Sequence, residues 1–406
     1  MRMSNKARKL AIGLMSGTSL DGIDAALVSI EGAGVTTQCE LLHFYAHPMP
    51  IEVREAILRV SHPDTAKIDE ICSLNTELGY LYQTAVEALL VEASQKQIIS
   101  PTEPIDFIAS HGQTIYHQPN ATKPFVPSTL QIGDPSPLAY HFKTAVVFNF
   151  RMMDLVAGGE GAPLVPYTEY LLYRSETKSR LLQNIGGIGN VTILPKNCVM
   201  SEVTAFDTGP GNMMINAAMM QLFNQSYDYN GEHGRKGRLI EALFAELKAD
   251  PYLEMTPPKS TGREHYGEKR VAKLCERYRR LNQSDQMQYG YDLIHTLTRF
   301  TAYTIAESYR RFIFPACKVD EIIVGGGGAY NPLLMAMIRA ELPEYSVLTQ
   351  EDLGISSDAK EAIAFAILGN ETLHGLASNM PGSTGARERV ILGQIIPNPW
   401  PRNEGR

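Results

Sequence analysis

One carboxylate stands directly before a turn that has almost no side chains. Asp207 follows the apolar, β-favouring residues 203–206 and precedes residues 208–212 (Thr-Gly-Pro-Gly-Asn), and residues 213–220 then predict a buried helix. This pattern places Asp207 at the end of a strand that faces a helix N-terminus, where open α/β sheets bind ligands. Because glycines allow close backbone approach and free N–H groups at a helix start favour phosphate, Asp207 is predicted to act beside a bound anion. The alternative is a purely structural strand-to-helix turn.

A second stretch, rich in hydroxyls and glycine, lies between two short apolar strands near the N-terminus. The strands are predicted over residues 10–15 and 23–30, and residues 16–22 (Ser-Gly-Thr-Ser-Leu-Asp-Gly) join them. A hairpin turn of this composition presents N–H and O–H donors together, as a phosphate-binding loop requires.

Several polar side chains lie at or just beyond the ends of predicted buried strands. They are His111, Gln113, Gln131 and Arg151. Since the ends of such strands form the ligand-binding edge of an α/β sheet, these residues are predicted to contact a substrate.

Structural explanations remain open for several of these residues. His111 and His117 would also suit a hydrogen-bonded structural pair, and Arg151 with Asp154 would suit a surface ion pair. Glu361, which begins an apolar small-residue helix at 360–368, would suit a favourable charge at the helix dipole.

Two further turns consist mainly of glycine. Residues 186–190 separate strands predicted at 181–185 and 191–194, and residues 325–328 follow the strand at 321–324. Four glycines in a row allow a planar ring to lie against bare backbone, which favours an adenine-binding turn. The sequence contains neither a GxxxxGK[ST] phosphate loop nor a clean GxGxxG fingerprint, which argues against a P-loop enzyme and a Rossmann dehydrogenase.

Length and composition limit the class of protein. A chain of 406 residues exceeds what one hydrophobic core usually organises, so two domains are expected. The net charge of -7, without a long basic run, argues against nucleic-acid and anionic-membrane partners. No apolar run approaches the ~20 residues that span a bilayer, and no secretory signal is recognisable, so a cytoplasmic protein is expected. The five scattered cysteines predict reduced, mostly structural thiols.

Each half of the chain opens with a β-hairpin around a small-residue turn. This repetition predicts a duplicated α/β domain with nucleotide bound between the copies. The first domain is predicted to comprise residues 1–155 plus about 377–406, and the second residues 156–376.

The combined motifs resemble the actin-like ATPase and sugar-kinase superfamily, and within it the anhydro-N-acetylmuramic acid kinases. The resemblance runs from about residue 10 to 395 in the same order. It rests on residues 13–24, 110–114, 131–133, 158–166, 184–187, 206–212, 259–264 and 326–331. It implies two actin-like (ribonuclease-H-like) α/β domains with a nucleotide- and sugar-binding cleft between them.

The resemblance also implies a reaction. Enzymes of this family use ATP and water to open 1,6-anhydro-N-acetylmuramic acid, giving N-acetylmuramic acid 6-phosphate during peptidoglycan recycling. An ordinary glycosidase needs a second carboxyl group to protonate the departing oxygen. Here the departing O6 would attack the γ-phosphoryl group instead, so a single dominant base is sufficient.

Roles for individual residues follow from the same resemblance. Asp207 matches the general base and Glu361 its partner carboxylate at the substrate. The residues expected to bind ATP are Gly17, Thr18, Ser19, Leu20, Asp21, Gly22, Ile23, Asp24, Gly186, Gly187, Gly209, Gly326, Gly327, Gly328 and Asn331. Those expected to bind the sugar are His111, Gln113, Gln131, Arg151 and Gly159.

Mg²⁺ is expected with ATP, and a homodimer is expected from family likeness. No metal ligand is assigned, because Met15 stands where many relatives in the superfamily carry a metal-associated Asp. Asn149 and Glu160 stand where many members of the family have Asp and Gln, which puts individual sugar contacts in doubt. The alternatives are another sugar kinase of this fold, or a regulatory module that hydrolyses ATP to switch between states.

Overall fold

The computed structural model describes residues 8–17, 20–281, 286–354 and 356–400. Thr18 and Ser19, two of the predicted phosphate-binding residues, lie outside the described part. The chain divides into unit 1, residues 1–172 and 358–406, and unit 2, residues 173–357.

In the described part of the chain, twelve strands form two sheets. The strands are β1 (Arg8–Ser16), β2 (Gly22–Glu31), β3 (Gln38–Pro48), β4 (Phe107–Gln118), β5 (Ser128–Ile132), β6 (Ala145–Phe148), β7 (Arg180–Ile185), β8 (Ile188–Leu194), β9 (Thr204–Pro210), β10 (Glu321–Gly325), β11 (Ser346–Thr349) and β12 (Gln394–Ile396).

The helices cover the sheets and connect their strands. They are α1 (Ile51–Val60), α2 (Ile68–Gln95), α3 (Ser136–Phe142), α4 (Met152–Val156), α5 (Val165–Tyr173), α6 (Met213–Phe223), α7 (Glu232–Lys236), α8 (Glu241–Lys248), α9 (Arg263–Tyr266), α10 (Glu268–Leu281), α11 (Gln286–Ser308), α12 (Pro332–Glu341), α13 (Lys360–Leu373) and α14 (Pro381–Thr384).

The sheet of unit 1 has the strand order β12-β6-β4-β1-β2-β3, with β5 also paired to β4. Strands β1, β2 and β3 are antiparallel neighbours, whereas β4 runs parallel to β1 and β6 runs parallel to β4. The parallel part of the sheet is nearly continuous in apolar residues because it is covered on both faces.

The sheet of unit 2 has the order β11-β10-β7-β8-β9. Here β7, β8 and β9 are antiparallel neighbours, and β10 is parallel to β7 and β11 to β10. Five strands of the first sheet, β6-β4-β1-β2-β3, therefore share the order and the strand directions of the second sheet, and β5 and β12 are additions to the first. This agreement confirms the predicted pair of duplicated α/β domains of the actin-like, ribonuclease-H-like class.

The observed division of the chain differs from the predicted boundaries. Helix α13 packs so closely on the first sheet that a Cβ at Gly13 in β1 would lie 1.8 Å from the carbonyl oxygen of Ala362. Residues 358–376 thus belong to unit 1. Unit 2 begins at residue 173 and not at residue 156. The apolar small-residue pattern predicted the helix but not which sheet it covers.

Two other expectations concern the whole described chain. All five cysteines lie in the described part of the chain and none forms a disulfide bond there, which agrees with reduced thiols. Among the helices of the described residues, none combines the length and the apolar character needed to cross a bilayer.

Candidate active site

Asp207 lies on β9 and is held at its backbone and at its side chain. Its N–H donates to the carbonyl oxygen of Lys259 at 3.1 Å, and its carbonyl oxygen accepts from the Tyr252 hydroxyl at 2.8 Å. The N–H of Thr261 donates to Oδ2 of the carboxylate at 2.9 Å. Within the described residues Oδ1 accepts no hydrogen bond, so one oxygen is fixed and the other is available.

Partial burial changes the proton affinity of this carboxyl group. Desolvation raises the pKa of Asp207, and the hydrogen bond from the Thr261 N–H opposes the rise. A carboxylate that is held in place and has a raised pKa is suited to accept a proton from water.

Three N–H groups of the turn after Asp207 are engaged within the protein. The N–H groups of Gly211 and Met213 donate to the Gly187 carbonyl oxygen at 2.9 and 3.0 Å, and the Asn212 N–H donates to that of Gly186 at 2.8 Å. The neighbouring β7–β8 turn therefore uses these three donors, and a bound anion at the start of α6 stays a prediction. Gly187 itself is exposed.

Gly209 has a structural position. It adopts φ 131°, and a Cβ there would lie 3.1 Å from the Thr304 side chain on α11. The residue is buried and pairs with Gly189 across β8 and β9. Its conformation and close packing explain the glycine without any contact to ATP.

The glycine turn after β10 contains residues with different environments. A Cβ at Gly326 would lie 2.6 Å from Asn184 Oδ1, and one at Gly328 would lie 2.3 Å from Ile185 Cγ2. By contrast, Gly327 is exposed and has only Asn212 Nδ2 nearby, at 3.8 Å. Bare backbone is thus presented at Gly327, whereas Gly326 and Gly328 pack against β7 and the end of that strand.

A pocket of about 380 Å³ in unit 2 adjoins Gly327 and Asn331. Tyr227, Tyr229 and Tyr330 line it and are roughly half exposed, which leaves aromatic faces available for a planar ring. The Oδ1 atom of Asn331 accepts from the N–H groups of Leu333 and Leu334 and so caps α12. Asn331 therefore lines the pocket, and its side-chain oxygen Oδ1 is already hydrogen-bonded within the protein.

In unit 1, Gln113 supports the start of the predicted phosphate hairpin. Its Oε1 accepts from the Ser16 hydroxyl at 2.5 Å, and its Nε2 donates to the carbonyl oxygens of Gly17 and Thr114 at 3.3 and 3.2 Å. The side chain is fully buried. Gln113 thus positions Gly17, and its polar atoms are engaged within the protein.

Residues 20–24 divide between the core and the surface. Leu20, with φ 57°, and Ile23 are buried, so they offer a ligand only their backbone. Gly22 lies against β3, where a Cβ would be 2.6 Å from the His47 carbonyl oxygen. Burial, followed by the charges of Asp21, Glu361 and Asp358, raises the pKa of Asp24 to about 6. Asp24 and Glu361 therefore lie in one negatively charged region of unit 1.

His111 and Arg151 form a buried pair. Arg151 Nε donates to His111 Nε2 at 2.9 Å, Arg151 Nη1 donates to the Gly161 carbonyl oxygen at 2.9 Å, and His111 Nδ1 lies 2.8 Å from the Gly112 carbonyl oxygen. Burial and then the Arg151 charge lower the pKa of His111 to about 3, so the imidazole stays neutral. Both ring nitrogens are engaged, which makes His111 a support for Arg151. It does not pair with His117.

Glu361 and Arg151 are brought near each other. Glu361 is exposed at the start of α13, and its charge opposes the desolvation that lowers the pKa of Arg151. The alternative ion pair of Arg151 with Asp154 was wrong. Asp154 is fully buried and accepts from the Gly161 N–H, the Asn379 Nδ2 and the Thr384 hydroxyl, each at 2.8 Å.

Gly159 and Gln131 complete the predicted sugar-binding set. Gly159 is buried, and a Cβ there would lie 2.3 Å from Asp154 Oδ2, so its role in the loop is close packing. Gln131 Nε2 donates to the hydroxyls of Thr114 and Thr129 at 3.2 and 2.8 Å. Its Oε1 is buried and has no partner in the described part of the chain.

The two departures from the family pattern have local explanations. Asn149 adopts φ 55°, a left-handed conformation that Asn tolerates better than most residues, and its Nδ2 donates to Gln394 Oε1 at 3.3 Å. Glu160 is exposed and accepts from Asn120 Nδ2 at 3.2 Å.

Comparison with known proteins decides the family. The sequence matches the family described as Anhydro-N-acetylmuramic acid kinase over residues 9–398. The chain belongs to this family.

Relatives that carry the name anhydro-N-acetylmuramic acid kinase are similar over their whole length. The protein of Clostridioides difficile (strain 630) is 48% identical, with 96% of this chain and 99% of the relative covered. That of Bacillus cereus (strain G9842) is 49% identical, covering 94% and 98%, and that of Caldanaerobacter subterraneus is 47% identical, covering 97% and 98%. The family predicted from the motifs, and with it an enzyme of the kinase class, is confirmed.

Solved structures are similar only distantly. The activator of the 2-hydroxyisocaproyl-CoA dehydratase from Clostridium difficile with bound ADPNP is 9% identical, covers 90% of this chain and 96% of its own, and has a TM-score of 0.43. A ROK family glucokinase from Streptomyces griseus in complex with glucose and AMPPNP is 13% identical, covers 88% and 98%, and has a TM-score of 0.35. At these scores the likenesses add nothing to the assignment of function.

Sequence reasoning missed part of the site of this anhydro-N-acetylmuramic acid kinase family member. It did not find the pocket tyrosines Tyr227 and Tyr229, nor Tyr252 and Thr261, which fix Asp207. Two tyrosines separated by one residue in a polar stretch were a usable signal for a surface on which a planar ring can stack. Residues 259–261 belong to a motif of the family resemblance, but the sequence does not show that the segment 252–261 bonds to β9, because those hydrogen bonds depend on the fold.

Proposed function

We propose that this protein uses ATP and water to convert 1,6-anhydro-N-acetylmuramic acid into N-acetylmuramic acid 6-phosphate, as a step in peptidoglycan recycling. The observation that carries the proposal is the fixation of Asp207 in a member of this kinase family. Three hydrogen bonds hold the residue while one carboxylate oxygen stays available. That arrangement suits a general base better than a merely structural carboxylate.

Apart from the proton transfer to Asp207, the reaction breaks two bonds and forms two. Asp207 takes a proton from water while the water oxygen bonds to the anomeric carbon and the bond from that carbon to O6 breaks. O6 attacks the γ-phosphorus of ATP, and the bond from that phosphorus to the bridging oxygen breaks, releasing ADP. Since O6 leaves towards phosphorus, no carboxylic acid is required to protonate it.

Unit 2 is proposed to hold the nucleoside. The pocket beside Gly327 offers aromatic faces at Tyr227, Tyr229 and Tyr330, and the missing side chain of Gly327 leaves backbone accessible. The phosphates are assigned to the hairpin at residues 17–24 and to the exposed Gly187 with Gly186.

Unit 1 is proposed to hold the sugar through Arg151 and Glu361. Arg151 keeps its Nη2 for a ligand while Nε and Nη1 bond to His111 and Gly161. His111 and Gln113, both buried with engaged polar atoms, act as positioning residues. Gln131 supplies a buried acceptor, Oε1, that is suited to an N–H donor of the substrate.

Mg²⁺ is proposed to accompany ATP. Within the described residues no three His, Cys, Asp or Glu side chains converge as they would in a dedicated metal site. Mg²⁺ in kinases is commonly held by substrate phosphates with one or two carboxylates, so no protein ligand is named. Activity that survives complete chelation of divalent cations would refute the requirement.

Product analysis tests the function against its two alternatives. Purified protein is incubated with ATP and the anhydro sugar, and the products are separated and weighed by mass spectrometry. The proposal predicts ADP and a sugar that has gained one phosphoryl group and one water. Phosphorylation of ordinary hexoses only would favour another sugar kinase, and ATP hydrolysis without any sugar product would favour a regulatory module.

A further inference from the structure

The hydroxyl group of Thr261 is buried and has no hydrogen-bond partner in the described part of the chain. Leaving such a group unsatisfied destabilises the folded protein. A valine has nearly the same shape and would avoid this cost. We therefore expect a partner to bind to this hydroxyl during the reaction. A polar site of this kind suits a water molecule.

The position of Thr261 beside Asp207 indicates which water molecule would bind there. The backbone N–H of Thr261 donates to Asp207 Oδ2 at 2.9 Å, so the residue that carries the hydroxyl contacts the carboxylate. Asp207 Oδ1 accepts no hydrogen bond within the described residues. An available base oxygen and an unpartnered hydroxyl thus lie on neighbouring residues of one small region.

The surrounding segment keeps this region rigid. Lys259 accepts the Asp207 N–H at its carbonyl oxygen, and its ammonium donates to the Tyr252 carbonyl oxygen at 3.2 Å. The Tyr252 hydroxyl in turn donates to the Asp207 carbonyl oxygen at 2.8 Å. Because Lys259 and Tyr252 are buried, residues 252–261 and β9 hold each other in register.

We propose that Thr261 Oγ1 positions the water that attacks the anomeric carbon. The water donates one hydrogen to Asp207 Oδ1 and the other to Thr261 Oγ1. Both hydrogens are then directed at the protein, and a lone pair points at the sugar. Asp207 takes the first proton as the new carbon–oxygen bond forms, and Thr261 exchanges no proton. This inference rests on the proposed function and adds a positioning residue to it.

The test compares Thr261→Val with Thr261→Ser. Both keep the N–H bond to Asp207, but only serine keeps the hydroxyl. We expect Thr261→Val to lower kcat by about 10- to 100-fold, as misplacement of a reactant does, with the KM values for ATP and sugar nearly unchanged. Thr261→Ser should recover most of the lost kcat.

Thermal stability separates this role from a structural one. Because valine removes an unpartnered buried hydroxyl, Thr261→Val should melt at the same temperature as the wild type or higher. Thr298→Val is the matched control, since the buried Thr298 hydroxyl donates to the Ile294 carbonyl oxygen at 2.8 Å. That variant should melt lower and keep its kcat.

Each other outcome contradicts the inference in a different way. A wild-type kcat in Thr261→Val, while the wild type is active, overturns the role of Thr261 and leaves the proposed function intact. A fall in kcat that tracks a fall in melting temperature, without recovery in Thr261→Ser, assigns Thr261 to structure alone. Absence of sugar product with the wild type overturns the function and this inference with it.

Discussion

Arg151 Nε donates a hydrogen bond to His111 Nε2 over 2.9 Å inside unit 1. The imidazole is neutral because burial and the guanidinium charge lower its pKa to about 3. His111 can therefore accept from Arg151 at neutral pH. The histidine fixes the direction of the cation without adding charge to the site.

Replacing Arg151 should separate sugar binding from nucleotide binding. Arg151→Ala is expected to lower kcat/KM for the anhydro sugar by about 10- to 100-fold, because a buried charge-assisted contact is lost, while the KM for ATP stays nearly constant. Arg151→Lys should not recover the loss, since one ammonium cannot reproduce the guanidinium fork towards His111 and Gly161. Steady-state kinetics with each substrate varied measures both effects. An equal rise in both KM values would contradict a sugar-specific role.

Asp207→Asn should fold and bind ATP but turn over slowly. The amide keeps the shape and an acceptor for the Thr261 N–H, yet it cannot take a proton from water. A decrease in kcat of about 10² to 10⁴ is expected for loss of a general base. Circular dichroism and ATP titration check folding and binding, and Asp64→Asn, at an exposed carboxylate, serves as control. Turnover near the wild-type rate would remove Asp207 from the mechanism.

The pH dependence of kcat should report the same carboxylate. Burial raises the pKa of Asp207 above its ordinary value of 3.8, so the ionised base is lost as the pH falls through that raised pKa. We expect the pH profile of kcat to have an acidic limb, in which kcat falls as the pH decreases, with a midpoint above pH 3.8. Immediately above this limb kcat should be constant. The limb should disappear in Asp207→Asn. Its persistence in that variant would assign it to another group.

The glycine turn after β10 allows a matched pair of substitutions. At Gly327 an added methyl group has open space, so Gly327→Ala should melt like the wild type but raise the KM for ATP. At Gly328 the methyl group would lie 2.3 Å from Ile185 Cγ2, so Gly328→Ala should destabilise the protein by about 1–3 kcal/mol through overpacking. Thermal melting and ATP kinetics distinguish the two. An unchanged KM in Gly327→Ala would place the nucleoside elsewhere.

The sequence predicted the fold because its signals are local. Apolar strands around small-residue turns occur in both halves of the chain, and the two sheets repeat one strand order. The switch between strand and helix patterns also placed Asp207 in a strand that precedes a helix. The predicted position at the end of that strand was wrong, because β9 continues through Pro210 and Asp207 lies within it.

Other parts of the site depend on contacts between distant residues. A glycine looks the same in sequence whether it faces a ligand, as Gly327 can, or packs against a helix, as Gly209 does. The sequence likewise does not show that Asp154 is buried, because its full burial depends on the segment at 379–384. The donors that fix Asp207 come from residues 252 and 261, which no local pattern connects to β9.

Transfer of a water oxygen to the sugar tests the central claim most directly. The reaction is run in ¹⁸O-labelled water with ATP and 1,6-anhydro-N-acetylmuramic acid, quenched early and analysed by mass spectrometry. Preformed product in the same water measures slow exchange at the anomeric carbon. The account predicts one ¹⁸O at that carbon, beyond the exchange control, and none in the transferred phosphoryl group. A phosphorylated sugar without label, or label only in phosphate, would contradict it.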